Sequence, residues 1–217
     1  MLDGRAHQRG DAMTATDQAD IDAHHNERMA KKKAARDRMM ATKTVEKGLL
    51  VVHTGTGKGK STAAFGMVMR CLGHGLKVGV VQFIKGRRPT GERDFLRRFP
   101  DQVTVKVMGE GFTWETQDRQ RDIAAARAAW DEVERLMADP ELHLLLLDEL
   151  NVVLRYGYLP TEEVVPALEA RRQSLHVLVT GRNAPPALIE AADLVTEMTL
   201  VKHPFRSGVK GQKGIEF

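Results

Sequence analysis

One run of residues, Thr-Gly-Thr-Gly-Lys-Gly-Lys-Ser-Thr from Thr54 to Thr62, constrains this chain more than any other feature. It follows Leu49 to His53, an apolar stretch that reads as a strand, and it opens Lys60 to Leu72, which reads as a helix closed by Gly73 and Gly75. Strand, glycine loop and helix in that order form the context a phosphate-binding loop requires. Glycines let the backbone wrap closely around phosphate oxygens and turn successive amides inward, while the helix N-terminus adds partial positive charge. Lys60 then neutralises phosphate and the Ser61 hydroxyl ligates magnesium. A glycine-rich turn with no ligand would have no use for two lysines among three glycines. The usual motif places a glycine four residues before the final Gly-Lys pair; Thr54 fills that place here and Gly55 comes one residue later, so the loop is a variant.

Downstream, short apolar runs alternate with helical segments. Lys77 to Phe83 and Val103 to Met108 read as strands, and Ile123, Ala126, Trp130, Val133 and Met137 recur at helical spacing until Pro140, with Trp130 in the core. Leu144 to Leu147 is wholly apolar and ends in Asp148 and Glu149, as a central parallel strand does when its carboxyl end faces a ligand. His176 to Thr180 and Val195 to Val201 supply two more strands, separated by a short helix within Pro185 to Ala192. The alternation predicts a parallel sheet covered on both faces. Asp148, at a strand end beside the loop, is the second part a nucleotide-metal site needs, because it can hold the cation through water.

The 217 residues suit one domain of about 170 residues plus an N-terminal extension. Residues 1–23 are polar and aperiodic and read as disordered. Residues 24–47 are good helix formers with a basic cluster from Arg28 to Arg38, either a solvated helix or a lid over an anionic ligand. The remaining residues, 48–217, form the nucleotide-binding domain. A net charge of +4, with Lys and Arg balanced by Asp and Glu along the chain, gives no indication of a nucleic-acid partner. The single Cys71 excludes an intramolecular disulfide, and no apolar run reaches the length of a membrane span, so a cytoplasmic protein is expected.

These features specify nucleoside triphosphate and magnesium, which suit a kinase, an ATPase or a transferase equally. From about His24 to Phe217 the sequence resembles the P-loop ATP:corrinoid adenosyltransferases. The resemblance is carried by Thr54 to Gly66, Gly73 to Gly75, Val81 to Gly86, Gly109 to Gln117, Leu146 to Leu150, Thr180 to Arg182 and the tail from Val201. Thr56 and Ser61 stand where that family has Asn and Thr, and Pro204 and Gly211 replace alanines.

The resemblance implies an α/β, RecA-like P-loop NTPase fold, a mostly parallel sheet with helices on both faces. It also implies transfer of the 5′-deoxyadenosyl group of ATP to cobalt(I) of a corrinoid (cob(I)yrinic acid a,c-diamide, cobinamide or cobalamin) with release of triphosphate. On that basis Gly55, Thr56, Gly57, Lys58, Gly59, Lys60, Ser61, Thr62, Arg70 and His203 are assigned to ATP, and Ser61 and Asp148 to Mg2+ or Mn2+. Lys60, Phe112, Trp114 and Glu149 are assigned to catalysis. Phe112 and Trp114, which unaided read as core or a hydrophobic staple, become corrinoid contacts that help strip a lower axial ligand from cobalt. Glu149 serves the metal or the corrinoid, or else caps or forms a salt bridge. The family is further expected to form a homodimer in which the N-terminal helix closes a site, and to draw electrons from a flavoprotein.

Overall fold

The computed structural model describes residues 15–84, 90–107 and 118–216. The chain divides into two compact units, Met1–Glu46 and Lys47–Phe217. In the first, one helix, α1 (Ala15–Ala41), is exposed from Gln18 onward except for the half-buried Met29. With little surface to bury, α1 draws on helix-forming residues and on pairs one turn apart, Glu27–Lys31 and Lys33–Asp37, both at 2.7 Å. It begins at Ala15, well before His24, and near this end the Gln18 side-chain amide donates to Asp22 at 2.9 Å. Thr42, bonding back to the Met39 carbonyl through both its amide and its hydroxyl, ends it.

The second unit is built on a six-stranded sheet: β1 (Leu50–Thr54), β2 (Lys77–Gln82), β3 (Val103–Val107), β4 (Leu142–Asp148), β5 (His176–Thr180) and β6 (Leu194–Glu197). All its pairings are parallel, in the order β3-β2-β4-β5-β1-β6. Alternate residues of the central strands point to opposite faces and must be covered on both. Leu144, Leu146 and Leu178 pack on one face with Val51, under α2 (Lys60–Gly73) and α3 (Gly91–Leu96). Leu145, Leu147 and Val177 pack on the other with Leu50, under α4 (Arg119–Met137), α5 (Leu150–Arg155), α6 (Thr161–Glu169) and α7 (Pro186–Ala191). The fold is therefore α/β, a parallel sheet with helices on both faces, as the alternation predicts.

Sequence periodicity does not single out α3, α5 or α6: the first two span only 6 residues each, and α6 contains Pro166. β6 stops at Glu197, short of the expected Val201, because the next residue leaves the ladder. The Met198 amide donates to the Thr54 carbonyl at 2.9 Å, and its carbonyl accepts from Gly57 at 2.6 Å. Among the described residues no helix is long and apolar enough to cross a membrane.

Parallel pairing brings Thr54, Gln82, Asp148 and Thr180 to one edge of the sheet, with β5 between the strand that enters the glycine loop and the strand that ends in the acid. Trp130 on α4 is 0% exposed and its indole donates to Glu134 at 3.0 Å. Trp130→Ala should lower the unfolding free energy by about 3–5 kcal/mol in urea titration; a loss below about 1 kcal/mol would remove Trp130 from the core.

Candidate active site

The glycines of the loop are dictated by contact as well as by conformation. Gly55 and Gly59 have φ of 93° and 105°, in the left-handed region. A Cβ on Gly55 would stand 2.5 Å from the Met198 carbonyl oxygen, and one on Gly57 would stand 2.6 Å from that of Thr199. The loop is thus laid against the strand that follows β6. Gly59 caps α2 with no side chain to bond the first-turn amides, which leaves those donors for a ligand.

Lys60 is 7% exposed, and its ammonium donates to the carbonyls of Gly55 at 2.8 Å and Gly57 at 2.5 Å. Burial, followed by the neighbouring charge of Arg182 and also that of Lys58, holds the ammonium below its ordinary 10.5, against the opposing pull of Glu149. A desolvated cation resting on two carbonyls gains strongly from an incoming polyphosphate.

Asp148 is 0% exposed at the end of β4. Its Oδ1 accepts from the Ser61 hydroxyl and from the Thr180 hydroxyl, both at 2.8 Å, and its Oδ2 accepts from the Gln82 amide at 2.9 Å. Because the Ser61 proton is committed to the carboxylate, the oxygen lone pairs are left to act as a ligand. A hydroxyl and a carboxylate form a hard-oxygen set that suits Mg2+ or Mn2+. Among the described residues there is no group of three or more His, Cys, Asp or Glu able to hold a metal, so the cation would have to share phosphate oxygens and water.

Glu149 adopts φ 68°, the left-handed region, where it caps α5 and donates its amide to Thr180 Oγ1 at 3.0 Å. Strained non-glycine backbone of this kind clusters at functional sites. It turns the chain at the strand end so that Asp148 is buried while Glu149 lines the cleft.

The cleft has a volume of about 830 Å3. Gly57 to Thr62 line it, as do Glu149 and three residues the sequence reading did not single out, Arg155, Tyr156 and Arg182. Arg182 follows Gly181 (φ 130°) and precedes Asn183 (φ 55°) after β5. The buried Asn151 anchors that turn, its amide donating to the Gly181 carbonyl at 2.9 Å. Two signals for Arg182 were available, its place directly after a strand and its inclusion in the Thr180 to Arg182 segment that carries the resemblance.

Gly55 and Thr56 do not line the cleft. Arg70 is exposed in the last turn of α2, ten residues or about 15 Å along the axis from Lys60, and is not part of the cleft wall. His203 caps the 3-10 turn Pro204–Ser207, accepting from the Phe205 amide at 3.1 Å; it too lies off the cleft, whereas Gly214 to Glu216 reach it and Glu216 pairs with Lys58. Phe112 and Trp114 lie outside the described residues.

The family model for ATP:corrinoid adenosyltransferase BtuR/CobO/CobP matches residues 46–217. The chain belongs to this family. Residues 13–40, which include most of α1, match the cob(I)alamin adenosyltransferase N-terminal model. This adenosyltransferase is 60% identical over 196 residues to the corrinoid adenosyltransferase of Pseudomonas aeruginosa, covering 90% of this chain and 97% of that one. It is 56% identical to the corrinoid adenosyltransferase of Sinorhizobium sp (90% and 92% covered) and 47% identical to that of Escherichia coli strain K12 (90% and 99% covered).

Phosphate should return the Lys60 ammonium toward its ordinary range, so triphosphate binding takes up a proton between the lowered value of the free enzyme and the higher value of the complex. The affinity of inorganic triphosphate, measured calorimetrically, should be flat below the free-enzyme value and should fall as pH climbs above it. Lys60→Arg, whose guanidinium stays charged, should lose that slope. The same slope in Lys60→Arg would assign it to another group.

Proposed function

We propose that this cleft transfers the 5′-deoxyadenosyl group of ATP to the cobalt(I) of a corrinoid and releases intact triphosphate. The observation that carries the reading is the juxtaposition of two things in one cleft: first-turn amides with a desolvated Lys60, and a cavity extending past them along α5. Family membership names the substrates as ATP and a corrinoid.

Reduced cobalt attacks the ribose C5′; the carbon–oxygen bond to the α-phosphate breaks, its electron pair leaves with the triphosphate, and cobalt is formally oxidised by two electrons in forming the cobalt–carbon bond. The chain's own part is to stabilise charge growing on the leaving group. Lys60 exchanges the Gly55 and Gly57 carbonyls for phosphate oxygens, and the amides of the first turn of α2 donate to the same group. Arg182, whose charge already acts on Lys60, lines the same cleft and would add positive charge toward the phosphates. Fixed donors at a developing charge contribute several kcal/mol, about 3–4 for a single one in comparable sites. Ser61 and Asp148 would hold a divalent cation, which when bound supplies further positive charge to the phosphates.

Further parts of the proposal rest on the family resemblance: Phe112 and Trp114 against the corrin face, a homodimer in which the N-terminal helix closes a site, a flavoprotein reductant and a cytoplasmic setting.

Anaerobic incubation of the enzyme with ATP, magnesium and chemically reduced cobinamide should yield adenosylated corrinoid and triphosphate in equal amounts, read by phosphorus NMR and absorbance. Lys60→Ala should reduce turnover by about a thousandfold while leaving the circular dichroism unchanged. ADP as the phosphorus product would replace this reading with a kinase or ATPase.

A further inference from the structure

The cleft holds one cation that the triphosphate does not account for. Arg155 ends α5, six residues or about 9 Å along the chain axis from Glu149, whose charge acts on Lys60. It therefore lies past the phosphate-binding end while lining the same cavity as the loop. Its guanidinium donates to the Tyr156 hydroxyl at 2.7 Å and sits 4.6 Å from the centre of the Tyr156 ring. That ring is 39% exposed and stacks on Tyr158 with centroids 5.6 Å apart.

Other cleft cations belong to the phosphate-binding end, where Arg182 stands close enough to Lys60 for its charge to act on it. Lys60 is held on loop carbonyls and Lys58 on Glu216. No carboxylate among the described residues pairs with Arg155, although surface arginines elsewhere on the chain, Arg127 and Arg135, are paired with Glu163 and Glu132. An aromatic shelf fixes the guanidinium by stacking and one hydrogen bond, and leaves its remaining donors paired with no acid among the described residues.

We propose that Arg155 is a specificity-determining residue that binds a peripheral carboxylate of the corrinoid, so that the enzyme prefers corrinoids with free side-chain acids over fully amidated ones. This rests on the reading of the cleft given above. The chemistry distinguishes the two classes. A corrinoid such as cobyrinic acid a,c-diamide keeps ionised acetate and propionate arms at the edge of the ring, where cobinamide carries neutral amides. A guanidinium binds a carboxylate through two parallel, charge-assisted bonds, and an amide offers it only one neutral acceptor. Glu149 caps the start of α5 and Arg155 closes it, so of the two ends of this helix only the Arg155 end offers an anionic arm a cation.

The test compares kcat/KM for the reduced forms of cobyrinic acid a,c-diamide and cobinamide in the wild-type enzyme, Arg155→Gln and Arg155→Lys, at low and high salt. The wild type should prefer the acid. In Arg155→Gln the ratio of the two constants should fall about tenfold or more, with the loss carried by the KM for the acid, and Arg155→Lys should recover part of it. The preference of the wild type should shrink with salt, and that of Arg155→Gln should not. Equal losses on both corrinoids, or an unchanged ratio, would overturn the role of Arg155 while leaving the adenosyl transfer standing. Absence of adenosylated product from either corrinoid with the wild type would overturn both.

Discussion

A carboxylate wholly removed from water must be ringed by donors, and at Asp148 that requirement organises the end of the sheet. The donors come from three separate elements: Ser61 from the first turn of α2, Gln82 from the end of β2 and Thr180 from the end of β5. Satisfying one buried acid therefore sets the phosphate loop relative to two strands. Removing any one donor leaves part of a buried charge uncompensated, which is costly. The strand order follows the same logic, since β5 stands between β1 and β4 and its Thr180 can reach both Asp148 and the Glu149 amide.

The loop itself is held by close backbone contact with the strand that follows β6 and by the Lys60 ammonium on two of its own carbonyls. Gly57 and Met198 share a hydrogen bond of 2.6 Å, and a Cβ on Gly55 or Gly57 would overlap that neighbouring strand. Close approach on one side leaves the amides of the first turn of α2 and the Lys60 ammonium as the groups that can answer a ligand on the other. Lys60 already sits desolvated on carbonyls, so the chain bears the desolvation cost before ATP arrives. That preorganisation is what lets the groups act on charge as it develops.

Much of this was legible in the sequence, for definite reasons. Glycine spacing after an apolar run fixes a loop at a strand–helix junction, and a run of leucines ending in Asp148 marks a central strand with an acid at its tip. Ser61 and Asp148 meet as those two local patterns imply. Gln82 and Arg182 lie in segments that carry the resemblance but were given no role, and Asn151 was not noted, because their proximity comes from strand order, which no local pattern reveals. Arg70 and His203 were associated with the nucleotide by resemblance; Arg70 stands at the far end of α2 from the loop, and His203 caps its own turn while its charge acts on the cleft residue Glu216. The early start of α1 escaped the reading because its residues are exposed from Gln18 onward and so leave no hydrophobic periodicity to follow.

The central claim is that the loop grips three phosphates as a single leaving group, so that carbon and not phosphorus is the electrophile. ATP carrying a heavy-oxygen label at the bridging atom between C5′ and the α-phosphorus tests this most directly. Mass spectrometry after one turnover should find the label in the released triphosphate, because the carbon–oxygen bond has broken. Label retained on the nucleoside product would place bond breaking at phosphorus and contradict the account.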